Sequence, residues 1–152
     1  MKFLIFSSSL SRRYSIIFRI FLSAVGLFVL FPTSAEVIHI NNTRLVRLMN
    51  EGVPLIDIRT PGEWENTGVI SGSRLITFFN EQGQVNVPQW QESVKTFAKP
   101  DRPIILICHS GTRSLEAARF LSETVAYRTV YNVSNGMMGW LADRQPVVPA
   151  SP

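Results

Sequence analysis

The chain has 152 residues, enough for one domain and an appendage, with 15 Lys and Arg against 11 Asp and Glu. Its single cysteine, Cys108, excludes an internal disulfide, a resolving thiol within the chain and a cysteine-built metal site, and His39 and His109 add no metal cluster. Four of the 15 basic residues (Lys2, Arg12, Arg13, Arg19) lie in residues 1–35, which hold no acid, so the remainder balances at 11 against 11 and lacks the basic face that nucleic-acid binding calls for.

Residues 1–35 predict a signal peptide. A basic start leads into the apolar run Ile20–Phe31, and Thr33-Ser34-Ala35 supplies the small residues of a cleavage site, placing the mature start at Glu36. The run is short for a membrane span, and Arg19 interrupts any longer one, so an uncleaved anchor ranks second. The expectation is a periplasmic or otherwise exported domain, with an N-terminally anchored one as alternative and no stable membrane association after cleavage. A domain over residues 36–147 and a proline-containing tail over 148–152 complete the expected organisation.

Glu36–Ile40 reads as a strand, with His39 an exposed member of it. Asn41-Asn42-Thr43 offers helix caps, Leu45, Val46, Leu48 and Met49 form a helical stripe, and Gly52 ends it. Val53–Ile58 is apolar and predicts a buried strand. Pro61 suits the first turn of a short helix through Glu63-Trp64-Glu65. Leu75–Thr77 predicts a short strand. Trp90, Val94 and Phe97 share helical spacing. Ile104–Ile107 predicts a buried strand, Leu115–Leu121 a helix, Tyr131–Val133 a strand and Met137–Ala142 a last helix. Buried strands alternating with helices imply an α/β fold with a mostly parallel sheet covered on both faces. In such sheets, sites form at the carboxyl ends of strands. Two loops fall there: Asp57-Ile58-Arg59 and Cys108–Arg113.

Cys108 ends the apolar run Ile104–Ile107 and opens Cys108-His109-Ser110-Gly111-Thr112-Arg113-Ser114, ahead of the helix. Strand, tight loop and helix start together aim backbone N–H groups and the positive helix end at one point. Residues 108–114 contain no proline, so each has an N–H to donate, and Gly111 permits the positive φ of a curling loop. That cradle favours a thiolate, so Cys108 reads as a nucleophile rather than an inert core thiol. Ser114 reads as a helix-start residue. Trp64, Trp90 and Trp140 read as packing residues.

Three blocks in this order resemble a single-domain rhodanese, a thiosulfate sulfurtransferase-like protein, over about residues 38–147. They are Asp57-Ile58-Arg59 through Glu63-Trp64 to Gly68-Val69-Ile70-Ser71-Gly72-Ser73, the loop C-x-x-G-x-R-S from Cys108, and Val133–Trp140. Val69 replaces a histidine usual in the family, and Asn135 replaces the first of two glycines. Asn tolerates a left-handed backbone, so the second change is expected to be mild.

The resemblance implies a rhodanese-like fold and sulfur transfer through Cys108. The thiolate would take the outer sulfur of an anionic donor such as thiosulfate, becoming a persulfide, and pass it to cyanide or a thiol, with no cofactor. It places Cys108 as the catalytic residue and His109, Ser110, Gly111, Thr112 and Arg113 around the substrate, with backbone N–H groups of residues 109–113 holding charge. Arg113 is expected either to contact the donor or to pair with an acid such as Glu116, and His109 to sit at the rim. Asp57 and Arg59 are supporting residues, with Arg59 expected to brace its loop through Glu63. No metal is expected. Expected partners are the anionic donor and the cyanide or thiol acceptor. The sequence does not determine the oligomeric state.

The rival enzyme reading is a rhodanese-fold phosphatase or arsenate reductase, whose loop is C-x5-R. Here four residues separate Cys108 from Arg113, a smaller ring that suits one sulfur better than a tetrahedral oxyanion. A persulfide carrier serving another protein, or a partner-binding module, are the further alternatives.

Overall fold

The computed structural model describes residues 36–150; the signal-peptide expectation for residues 1–35 lies outside the described residues. Five strands form one sheet: β1 (Glu36–Ile40), β2 (Leu55–Asp57), β3 (Arg74–Leu75), β4 (Ile104–Ile107) and β5 (Thr129–Val133). Their order is β1-β5-β4-β2-β3 and every pairing is parallel. The register sets Ile105 of β4 beside Leu55 of β2 and Tyr131 of β5. Five α-helices connect the strands: α1 (Asn42–Asn50), α2 (Pro61–Thr67), α3 (Val87–Lys95), α4 (Thr112–Arg119) and α5 (Gly136–Ala142). Phe120–Thr124 continues α4 as a wider, π-helical turn.

A parallel sheet must be covered on both faces, and the alternation within β4 shows how. Ile104 and Leu106 face a core with Trp90 and Val94 of α3 and Ala117 and Ala118 of α4. Ile105 and Ile107 face the opposite core, with Leu45 and Leu48 of α1 and Met137 and Trp140 of α5. All four β4 side chains are fully buried, each contributing ~1.5–3 kcal/mol relative to exposure. β4 is therefore the most deeply buried strand of the sheet, and the catalytic candidate stands at its end.

Local chemistry sets the element ends. Asn41 caps α1 by accepting from Arg44 N, and Thr60 and Glu63 form a reciprocal capping box at α2. Phe97 departs from the expected helical stripe: α3 stops at Lys95, leaving Phe97 half-exposed under the Arg74 guanidinium, and Ala98 takes the buried position. The three tryptophans are packing residues as expected, with Trp140 Nε1 donating to Pro146 O at 2.9 Å. Val69, the residue in place of histidine, is buried and exchanges two backbone hydrogen bonds with Val148, each 2.9 Å, which fastens the proline-containing end to the domain. Asn135 uses no left-handed backbone; its φ is −104°, and Gly136 carries the positive φ instead.

Candidate active site

Cys108 follows the last residue of β4 at the carboxyl end of the sheet, between β2 and β5. The chain then curls, and Gly111 (φ 92°) turns it into α4. A Cβ at Gly111 would collide with the carbonyl oxygen of Ser134, so close backbone approach requires glycine as much as the positive φ does. Gly136 has the same role from the other side, since a Cβ there would strike the carbonyls of Cys108 and His109. Met137 N donates to Cys108 O at 2.8 Å and Met138 N to His109 O at 2.9 Å. The block Val133–Trp140 thus lies beneath the reactive loop and holds its carbonyls away from the sulfur.

The sulfur sits on donors. Gly111 N–H donates to Cys108 Sγ at 3.1 Å, and the Ser114 hydroxyl lies within donating distance of the same atom at 3.2 Å. Cys108 is fully buried in the free protein. Ser114 is therefore more than a helix-start residue: it stands in the third position of α4, Gly111 is the N-cap, and the Ser114 hydroxyl faces the thiol. Ser114 Oγ also lies 2.6 Å from Asn132 Oδ1 on β5, and Asn132 Nδ2 donates to Gly111 O at 3.2 Å. Sequence reasoning passed over Asn132, although a signal was present. It shares a strand face with Val130, where an apolar residue is expected, and a polar residue there needs a partner.

Arg113 pairs with an acid, but the acid is Glu63 of α2, not Glu116. Nη1 lies 2.9 Å from Oε2 and Nη2 2.5 Å from Oε1, a bidentate geometry. Burial opposes ionisation of Glu63, but hydrogen bonds from Arg113 and from Thr60 N–H, with the charges of Arg113 and Arg59, outweigh it and hold the carboxyl below its ordinary value. The bonds to Glu63 outweigh burial at Arg113 too and raise its pKa, with the Cys108 and Asp57 charges adding. His109 is half-exposed at the rim, its Nδ1 3.9 Å from Glu63 Oε1. Ser110 and Thr112 form the outer edge of the loop, their hydroxyls 3.5 Å apart.

Asp57 and Arg59 form a buried pair, with Arg59 Nη2 2.7 Å from Asp57 Oδ2 and Nε 2.9 Å from Oδ1. The remaining guanidinium donors close the C-terminal end of α2, reaching Thr67 Oγ1 at 2.6 Å, Gly68 O at 2.9 Å and Glu63 O at 3.4 Å. The expected Arg59–Glu63 brace is not made by the Glu63 carboxylate: Arg59 braces its loop through Asp57, Thr67 Oγ1 and backbone carbonyls, which leaves the Glu63 carboxylate free for Arg113. Among the described residues, no cluster of His, Cys, Asp and Glu could hold a metal ion.

A parallel sheet ending in a thiol cradled by a strand–loop–helix turn defines a rhodanese-type domain. Residues 41–143 match the family model described as Rhodanese-like domain, and the chain belongs to that family. It is similar to Rhodanese-like domain-containing protein 17 of Arabidopsis thaliana, at 30% identity over 115 residues, covering 74% of this chain and 73% of that protein. It is also similar to the thiosulfate sulfurtransferase GlpE of Pseudoalteromonas translucida, at 30% identity over 105 residues, covering 68% and 89%. Among solved structures, a rhodanese-related protein from Thermoplasma volcanium superposes with a TM-score of 0.57 at 26% identity, covering 74% of this chain and 99% of that one.

Proposed function

We propose that this protein is a sulfurtransferase that carries sulfane sulfur on Cys108. The observation that carries the reading is the pair of donors on Cys108 Sγ, Gly111 N–H at 3.1 Å and Ser114 Oγ at 3.2 Å, at the end of the most buried strand. The likeness to relatives named thiosulfate sulfurtransferase supports the same reading. In the first half-reaction the Cys108 thiolate attacks the outer sulfur of thiosulfate. An S–S bond forms, the bond to the sulfonate sulfur breaks, and sulfite leaves with its electron pair. In the second, cyanide or a thiolate attacks the outer sulfur of the persulfide, releasing thiocyanate or a new persulfide and restoring the Cys108 thiolate. No external oxidant or reductant enters. The N–H groups of residues 109–113 receive the negative outer sulfur, and His109 and Arg113 set the charge seen by the incoming anion.

The commitment of Arg113 to Glu63 counts against the phosphatase reading. A phosphate-binding loop needs its arginine fork free for two equatorial oxygens, whereas here both terminal nitrogens face a carboxylate. Cys108→Ser tests the assignment. The folded variant should form no thiocyanate from thiosulfate and cyanide, and appreciable formation would remove Cys108 from the mechanism.

We further infer that the mature domain begins at Glu36 and is exported. The basic start, the Ile20–Phe31 run and Thr33-Ser34-Ala35 support this. N-terminal sequencing of the exported protein should read Glu36-Val37-Ile38. An intact Met1 in the membrane fraction would indicate an anchor instead.

A further inference from the structure

Ser114 has one hydroxyl hydrogen and three acceptors within reach: Asn132 Oδ1 at 2.6 Å, Cys108 Sγ at 3.2 Å and Gly111 O at 3.3 Å. The orientation of the Asn132 amide is fixed by its surroundings. Its Nδ2 donates to Gly111 O at 3.2 Å, and turning the amide over would set two acceptor oxygens against each other. Oδ1 must therefore face Ser114. Asn132 is 1% exposed and Ser114 is fully buried, so water does not reach this contact to supply a substitute donor.

We propose that Asn132 is a positioning residue that competes with Cys108 for the Ser114 proton, making the Ser114 hydroxyl a two-position switch that follows the charge on Sγ. The proposal rests on the persulfide cycle described above. While Sγ is uncharged, as a thiol or as the inner sulfur of the persulfide, the hydroxyl donates to Asn132 Oδ1. When Sγ is a thiolate, before attack on the donor and again as the leaving group of the second half-reaction, the hydroxyl turns about its Cβ–Oγ bond and donates to sulfur. A bond to a charged acceptor is the stronger one, so the thiolate wins the proton. Oδ1 is then a buried acceptor without a donor, which returns part of that gain. The Ser114 bond to sulfur thus comes and goes with the charge on Sγ. The hydroxyl proton stays on Ser114 Oγ throughout, the thiol's own proton goes to solvent when Cys108 ionises, and the turn of the hydroxyl itself changes only hydrogen bonds. The effect is a thiolate stabilised enough to form and leave, yet not so deeply as to lose its nucleophilicity.

The charged and titratable groups around this pair are Asp57 from β2, Arg59 from the loop after it, Glu63 from α2, His109 in the reactive loop, Arg113 from α4 and His39 from β1. Of these, His39 approaches Asn132 itself, its Nδ1 lying 3.4 Å from Nδ2.

Isotope-edited NMR of the Asn132 side-chain carbonyl carbon tests the switch in the purified mature protein with no sulfur donor present. The pH is carried through the ionisation of Cys108, followed independently by its alkylation rate, and the His39 imidazole resonances report the titration of that residue separately. The carbonyl shift should change with the alkylation midpoint in the wild type, and that change should vanish in Ser114→Ala, which removes a single oxygen. A carbonyl that ignores the Cys108 midpoint, or follows it equally in Ser114→Ala, would overturn the proposal. A double-mutant cycle gives a second reading. Asn132→Ala should place the alkylation midpoint lower by about half a pH unit or more when made in the wild type than when made in Ser114→Ala, because the loop-propping contribution through Gly111 cancels between the two. Equal shifts in both backgrounds would show Asn132 to be only a loop prop. Neither measurement uses sulfur transfer, so a protein that showed the coupling but never accepted sulfur from thiosulfate would contradict the functional reading and leave the switch standing.

Discussion

Arg113 gives both terminal nitrogens to the carboxylate of Glu63, a residue fifty positions earlier in the chain, and so joins the reactive loop to helix α2 across the mouth of the site. The pair sets the local charge. With Glu63 in place, the Arg113 guanidinium is neutralised before any donor arrives, and His109 sits near the same carboxylate.

Removing one partner should therefore move donor affinity in opposite directions. Glu63→Gln frees the Arg113 charge and should lower KM for thiosulfate, whereas Arg113→Ala strands the carboxylate and should raise it. Each change should be about fivefold, since one unit charge a few ångströms away in water is worth ~1 kcal/mol. Steady-state kinetics at low salt check this, and kcat should change less than KM. A fall in kcat alone for Arg113→Ala would place the arginine in loop support instead.

The same pair should register in acid. The Glu63 carboxyl ionises below its ordinary value in the folded protein, so its stabilisation is present above the ordinary carboxylate range and is lost as pH falls through the lowered folded value. Urea midpoints of the wild type and Glu63→Gln should differ most near neutral pH and converge once the pH has fallen through the lowered folded value, below the ordinary carboxylate range. A gap that stays constant across that range would mean that the Glu63 charge contributes nothing to folding.

Arg59→Leu should be among the most damaging substitutions outside the reactive loop. It leaves Asp57 buried without its partner and uncovers the carbonyl of Gly68 at the end of α2. Breaking one side of a buried ion pair costs ~3–5 kcal/mol, readable by chemical denaturation. A loss below about 1 kcal/mol, the range of exposed pairs, would contradict the buried-pair account.

Gly111→Ala should remove activity while the sheet still forms. Alanine would have to adopt φ near 92° and would drive its methyl into Ser134 O, so the loop must shift and its N–H must leave Sγ. Circular dichroism should stay close to the wild type as thiocyanate formation disappears. Normal turnover would show that the Gly111 amide is dispensable.

The parallel sheet and the strand–loop–helix at Cys108 were legible because Ile104–Ile107 is continuously apolar and the loop after it contains Gly111 and no proline. The family blocks gave the order of the site loops. Partners distant in sequence were not legible. Arg113 finds Glu63, and Arg59 reaches Thr67 and Gly68 at the end of α2, because of how α2 folds over the sheet; spacing along the chain could not choose between Glu63 and Glu116. Asn132 carried a signal in its polar side chain on an apolar strand face, but its partner Ser114 became visible only once α4 was seen to begin at Thr112 rather than later. Phe97 misled because helical spacing continued past the point where α3 ends.

The central claim is that Cys108 carries the sulfur, and intact-protein mass spectrometry after exposure of the mature protein to thiosulfate addresses it most directly. The account predicts a gain of one sulfur atom, mapped to the peptide containing Cys108, removed by cyanide and absent from Cys108→Ser. A wild-type mass unchanged by thiosulfate, or a sulfur adduct that persists in Cys108→Ser, would contradict it.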